Sequence, residues 1–215
     1  MRIAALSDFH IGADERTDCF RHGPKAFLAA LDALERDHDH IVFLGDIFQA
    51  QHGIGVSARA EASELERAQR RVPELWRRLC SDGYSYVHGN HDQIARSAVG
   101  ARTSVRFDDG DFTVFMTHGH QFDPLLSRAY VASRAATWFS GRVRGVGLGA
   151  VADWLEHQDV TIKHRRFRGP DGPYARGARE LMREHRADVV VMGHTHMPGL
   201  LDLPEGKLAN TGTCS

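Results

Sequence analysis

Cysteine is scarce in this chain: three residues among 215, Cys19, Cys80 and Cys214, odd in number and without a C-x-x-C pair. Such usage supplies neither a disulfide framework nor a cysteine zinc site, and it fits a reducing compartment. Long apolar runs are missing as well. No stretch approaches the ~18 apolar residues of a membrane-spanning helix, and the apolar part of "MRIAALSDFH" is shorter than a secretory signal core. The expected location is therefore the cytoplasm. Net charge is almost absent, at -1, so a nucleic acid or an anionic membrane would have to be held by a local patch rather than by the whole molecule. Internal repeats and low-complexity segments are also absent.

Histidine, by contrast, is plentiful, with 14 residues. His38, His40, His157, His164 and His185 lie in charged surroundings and read as ordinary surface residues. Those at the ends of strand-like runs stand apart. In "SYVHGNHDQIA" a strand-like run breaks on Gly89 into Asn90, His91 and Asp92. Turn chemistry accounts for Gly-Asn, but it does not require a histidine and an aspartate directly afterwards. Four more apolar runs end alike: "MRIAALSDFHIG" on Asp8 and His10, "HIVFLGDIFQ" on Asp46, "FTVFMTHGHQFD" on His118 and His120, and "ADVVVMGHTHMPG" on His194 and His196.

The length suits one domain, residues 1–215, with a helical insertion over about 124–168. "GPKAFLAALDALERDH" predicts a helix, with Pro24 in the first turn and Phe27, Leu31 and Leu34 on one face. Residues 58–79 are helix-prone, with a boundary at Pro73. Asp109-Gly110 and Pro204-Glu205-Gly206 mark hairpins. Alternating β-α units followed by hairpins predict an α/β protein of two packed sheets flanked by helices. Gly147 to Ala150 has the look of a dinucleotide loop, yet no strand precedes it, so it reads as a glycine loop before a helix.

Carboxylates, an amide and imidazoles form a mixed oxygen and nitrogen donor set suited to Mn, Fe, Zn or related divalent ions. Asp8 and His10 are two residues apart, as are His194 and His196. In extended chain each pair would lie on one side and chelate together. Strand ends are also where sheet proteins commonly place their sites.

The ordered set "DFH", "GDIF", "GNHD", "HGH" and "GHTH" resembles the motifs of the calcineurin-like metallophosphoesterases, and it spans residues 8–196. The resemblance implies a four-layer α-β-β-α sandwich with mixed sheets and two divalent metal ions. Manganese is the expected ion, with Fe, Zn and Ni as alternatives. Asp8, His10, Asp46 and His196 would hold one ion, and Asp46, Asn90, His118 and His194 the other. Two such ions about 3.5–4 Å apart activate a shared water for in-line attack, so the implied nucleophile is metal-bound hydroxide. His91 would donate a hydrogen bond or proton to the leaving oxygen. Asp92 would orient that imidazole, its alternative being a turn or capping role. His120 would contact substrate or serve structure.

The segment after "HGH" resembles the branch containing UDP-2,3-diacylglucosamine pyrophosphatases, which carry a helical insertion there. Its arginines, Arg128 and Arg134 among them, would pair with phosphates, and its apolar residues with acyl chains or a membrane surface. The implied partner is a phosphorylated small molecule or a nucleotide- or lipid-linked substrate, with peripheral membrane contact through the insertion. Three departures stand out: that branch has G-N-R-D where this chain has His91, Gln49 replaces an acidic or asparagine residue of the second motif, and relatives continue beyond "NTGTCS". The leading expectation is a phosphodiesterase, pyrophosphatase or phosphomonoesterase. The alternatives are a nuclease using the basic run "KHRRFRG" and a non-catalytic scaffold.

Overall fold

A parallel strand with both faces covered needs apolar residues at successive positions, and the run from Ile41 to Leu44 meets that need, each residue at most 2% exposed. The computed structural model describes residues 1–15, 18–20, 22–53, 55 and 57–215. Its first half alternates β1 (Ile3–Leu6), α1 (Pro24–Asp37), β2 (His40–Leu44), α2 (Ala58–Arg71), α3 (Pro73–Leu79), β3 (Tyr84–Val87) and α4 (Ala95–Val99). The three strands pair in parallel in the order β1-β2-β3. The break between α2 and α3 falls at Val72, just before Pro73, as the sequence predicts.

The second half begins with a hairpin, β4 (Ser104–Asp108) and β5 (Thr113–Thr117), turning at Asp109-Gly110. Three helices follow: α5 (Pro124–Arg128), α6 (Tyr130–Gly145) and α7 (Gly149–Arg168). The Gly147 to Ala150 stretch therefore runs from the short link after α6 into the first turn of α7, an arrangement foreign to a dinucleotide fingerprint. After α8 (Pro173–His185) and β6 (Val189–Met192), the hairpin β7 (Pro198–Leu203) and β8 (Gly206–Thr211) completes a mixed sheet in the order β4-β5-β6-β8-β7. In it β5, β6 and β8 are mutually parallel, and the two edge strands run the other way.

Alternation along the strands builds four layers from these elements, because successive side chains take opposite faces. Ile41 and Phe43 of β2 pack with Leu31, Leu65 and Leu75 of the first three helices. Val42 and Leu44 instead join Val87, Val105 and Met116 between the two sheets. Val190 and Met192 of β6 meet Tyr174, Ala178 and Met182 of α8 on the far side. Each large apolar side chain buried this way contributes about 1.5–3 kcal/mol relative to exposure. The order helix, sheet, sheet, helix is the sandwich that the sequence predicts.

Because the strands within each parallel set point the same way, their C-terminal loops gather at one end. Asp92 ties those loops together. Its carboxylate is fully buried and accepts from the backbone N–H groups of Asp46 (3.3 Å), Ile47 (2.8 Å), Phe48 (3.3 Å) and Gly89 (2.6 Å), and from the Tyr86 hydroxyl (2.7 Å). Burial and the neighbouring Asp46 charge push its pKa up, while the Tyr86 and Gly89 bonds oppose that. The orienting role toward His91 is thus corrected: none of these five bonds reaches the imidazole, and the carboxylate holds the loops after β2 and β3 instead. Asp92→Ala is expected to lower unfolding free energy by ~3 kcal/mol or more, since several buried donors lose their acceptor. Urea unfolding would contradict this with a loss below ~1 kcal/mol.

Candidate metal centre

Among the described residues six non-glycine positions adopt left-handed backbone, and five of them are Asp8, His10, Asp46, His194 and His196, with φ from 53° to 66°. Such φ values are uncommon outside glycine and gather at functional sites. They also correct the extended-chain picture of D-x-H and H-x-H. β1 has ended at Leu6 and β6 at Met192 before these pairs begin, and in each pair two left-handed residues flank a fully buried one, Phe9 or Thr195. The middle residue anchors the loop, and the outer two turn to the same centre. Glycines make room for this convergence. A Cβ on Gly45 would collide with the His118 ring, and one on Gly89 with the Asp46 carboxylate.

The side chains meet as three overlapping groups, Asp8–His10–His196, His10–Asp46–His91 and Asp46–His118–His194, with donor atoms within 4.8 Å of one another in each. His118 Nε2 lies 3.1 Å from Asp46 Oδ2, His196 Nε2 lies 3.3 Å from Asp8 Oδ1, and the Nε2 atoms of His10 and His196 are 3.1 Å apart. Asn90, 8% exposed, shares a cavity with His10, Asp46, His91 and His196. The seven residues assigned to metals by the family resemblance therefore converge.

Their tautomers and charges fit a cation. His118 Nδ1 donates to the Leu44 carbonyl at 2.8 Å, which leaves Nε2 facing the Asp46 carboxylate. A positive charge belongs at that contact, whether a proton on Nε2 or a metal ion held between the two groups. Asp8 Oδ1, Asn90 Oδ1 and His118 Nε2 are buried and have no hydrogen-bond partner. Burial alone would lower the His118 pKa, but Asp46 pushes it up to about 9. Burial would raise Asp46, yet His118 and His91 hold it well below the usual carboxylate range. Asp8 is likewise held low against its burial by His196. His91 and His194 are driven well down by burial, as neutral ligands require.

Asp123 escaped the sequence reading. It is 1% exposed, and its Oδ2 receives His194 Nε2 at 3.0 Å, which leaves Nδ1 of that ring for an ion. Its other oxygen caps α5 through Leu125 N–H at 2.8 Å and lies 3.4 Å from Arg166 Nη1. Its one sequence signal is the Asp-Pro step, a helix start. Gln49, outside the residues assigned to metals, has its Oε1 2.8 Å from His91 Nδ1.

Above the centre a cavity of about 360 Å³ is walled by Leu125, Leu126, Phe139, Val160 and Lys163 of α5, α6 and α7. Arg134, expected to meet phosphate, is instead paired with Glu61 of α2. The Arg128 side chain lies outside the described residues. His120 stands beside the His118 ring, centroids 5.5 Å apart, and is absent from the cavity wall; burial takes its pKa down to about 3. The basic run is divided among faces: Lys163 enters the cavity, Arg165 is exposed, Arg166 approaches Asp123 and Phe167 is buried. Among the described residues it forms no continuous strip for a nucleic-acid backbone.

Comparison with known proteins agrees with this geometry. Residues 1–198 match the calcineurin-like phosphoesterase family. A UDP-2,3-diacylglucosamine hydrolase from Shewanella sp. strain W3-18-1 is 26% identical, over 96% of this chain and 86% of its own length. One from Chromohalobacter salexigens is 25% identical, over 93% of this chain and 82% of its own. A dimetal phosphatase from Danio rerio superposes with a TM-score of 0.54 at 14% identity, covering 100% of this chain and 88% of that one, and shares the fold. The chain belongs to the calcineurin-like phosphoesterases, metal-binding hydrolases of phosphate ester and anhydride bonds.

Proposed function

We propose that this chain is a dinuclear phosphoesterase whose substrate combines a phosphodiester or pyrophosphate with an apolar group. The observation that carries the reading is one cavity with two unlike surfaces. Its floor holds His10, Asp46, Gln49, His52, Asn90, His91, Asp123 and His196, and the wall that α5, α6 and α7 contribute is apolar apart from Ser133, Thr137, Ser140 and Lys163. Asp8, His10, Asp46 and His196 would hold one ion and Asp46, Asn90, His118 and His194 the other, with manganese the expected metal. Such ions would supply Lewis acidity and lower the pKa of bound water.

The chain's own groups do the rest. Asn90 contributes a neutral ligand, which limits negative charge beside an anionic substrate. Asp123 fixes the His194 ring, and the Leu44 carbonyl fixes His118. Lys163 places a cation on the cavity wall, where it meets a phosphoryl oxygen. The wall of α5, α6 and α7 excludes water and receives the apolar part. The relatives named for UDP-2,3-diacylglucosamine support a lipid-linked nucleotide sugar as the substrate class.

Exposed Val131, Val146, Leu148 and Trp154 on and between α6 and α7 suit peripheral contact with the membrane from which such a lipid comes. Among the described residues no helix is long and apolar enough to cross one.

Manganese-loaded protein is expected to hydrolyse bis(p-nitrophenyl) phosphate faster than p-nitrophenyl phosphate, and Asp46→Ala to lose at least ~10³-fold of either activity, as expected when a group essential to transition-state stabilisation is removed. Wild-type turnover in that variant would overturn the two-ion reading. Lys163→Ala should raise KM for a pyrophosphate-linked substrate ~10-fold or more, equivalent to one charge-assisted hydrogen bond. Unchanged steady-state kinetics would remove Lys163 from the substrate site.

A further inference from the structure

Beside the residues assigned to metals, two of the same loops carry a further pair of imidazoles, His88 and His120. His88 follows directly on β3, two residues before Asn90, and His120 comes two residues after His118. Gly119, in left-handed backbone with φ 95°, stands between His118 and His120 and sends their rings to different neighbours, His118 to Asp46 and His120 to His88. The His88 and His120 ring centroids lie 6.0 Å apart, with the planes inclined at 53°. Neither residue is part of the cavity wall above the centre.

Each ring leaves one nitrogen unsatisfied. His88 is 5% exposed, and its backbone N–H donates to the Arg102 carbonyl at 2.9 Å. Its Nδ1 donates to the Gly89 carbonyl at 3.1 Å, because a carbonyl oxygen can only accept. The position left for a ligand on that ring is Nε2. Among the described residues His88 Nε2 and His120 Nδ1 are both buried without a hydrogen-bond partner. A buried polar atom normally has one, and here two orphaned nitrogens belong to neighbouring rings. His120 as a whole is half-buried, so the pair can be reached from solvent.

We propose that His88 Nε2 and His120 Nδ1 form an accessory site for one divalent ion of the zinc or copper kind, separate from the dinuclear centre. Imidazole suits such ions, whereas Mn²⁺ favours carboxylate and other oxygen donors. The dinuclear centre includes Asp8 and Asp46, but this pair brings no carboxylate and so selects against Mn²⁺. Two protein nitrogens leave the remaining positions of a tetrahedral ion to water, as at an open zinc site. The ion ties the loop bearing Asn90 to the loop bearing His118. The site is independent of the two-ion reading, since neither imidazole belongs to that ligand set.

Equilibrium dialysis of chelator-treated protein against Zn²⁺, followed by elemental analysis, counts the bound ions. His88→Phe and His120→Ala are each expected to hold one Zn²⁺ fewer than wild type, and the double variant also only one fewer, because both rings serve one ion. Mn²⁺ counts should be equal in all four proteins. An unchanged Zn²⁺ count in either single variant, a loss of two in the double variant, or a matching loss of Mn²⁺ would overturn the accessory site. Long-range ¹H–¹⁵N spectra of the histidine rings test it in wild type, without reliance on the folding of any variant. The His88 Nε2 and His120 Nδ1 resonances should move together as Zn²⁺ is added, and resonances that stay in place would defeat the proposal. The same joint movement is expected in Asp46→Ala, so a failure of the two-ion reading leaves the accessory site standing; its absence there would assign the ion to the dinuclear centre instead.

Discussion

Two buried carboxylates, Asp8 at 0% and Asp46 at 1% exposure, are the constraint on which the rest of the structure turns. An isolated buried charge is costly unless it is paired or coordinates a metal. Here the nearest cationic candidates are imidazoles, several of which burial drives toward neutrality. Divalent ions held at the strand ends, as the family typically binds them, would complete this charge balance. That requirement explains why His118 is backed by a carbonyl and His194 by Asp123, since each hydrogen bond turns a lone pair inward.

The backbone carries the cost of this convergence. Five left-handed non-glycine residues, each a sparsely populated conformation, persist because the surrounding layers over-determine them. Phe9 and Thr195 are fully buried between them, and Asp92 fastens the loops after β2 and β3 from below. A rigid two-sheet scaffold with a strained rim is a reasonable way to hold ligands from five separate loops in register. The helices α5 to α7 stand differently: α6 packs against the segment Ala50–His52 and against α2 through Arg134 and Glu61. This join links the apolar wall of the cavity to the loop bearing Asn90 and His91.

Much of this was legible in the sequence because it is local. Strand runs, helix starts at Pro24 and Pro73, the Asp109-Gly110 turn and the donor residues after each strand are all written within a few positions of one another. The illegible part consists of bonds between distant positions. Asp92 reaches Ile47 across 45 residues, Gln49 reaches His91 across 42, Asp123 reaches His194 across 71 and Arg134 reaches Glu61 across 73. Local patterning has no access to such pairings. For the same reason Asp92 was expected beside its sequence neighbour His91, and Arg134 was expected to be free for phosphate. The left-handed turn of the D-x-H and H-x-H pairs also depends on tertiary packing, so spacing predicted shared direction but the wrong backbone.

The central claim is that the strand ends bind two ions around Asp46. Its most direct test is a crystal structure of manganese-loaded protein with data collected on both sides of the manganese absorption edge. The account predicts two anomalous peaks, one bounded by Asp8, His10 and His196 and one by Asn90, His118 and His194, with the Asp46 carboxylate touching both. A single peak, or two peaks of which Asp46 contacts only one, would contradict it.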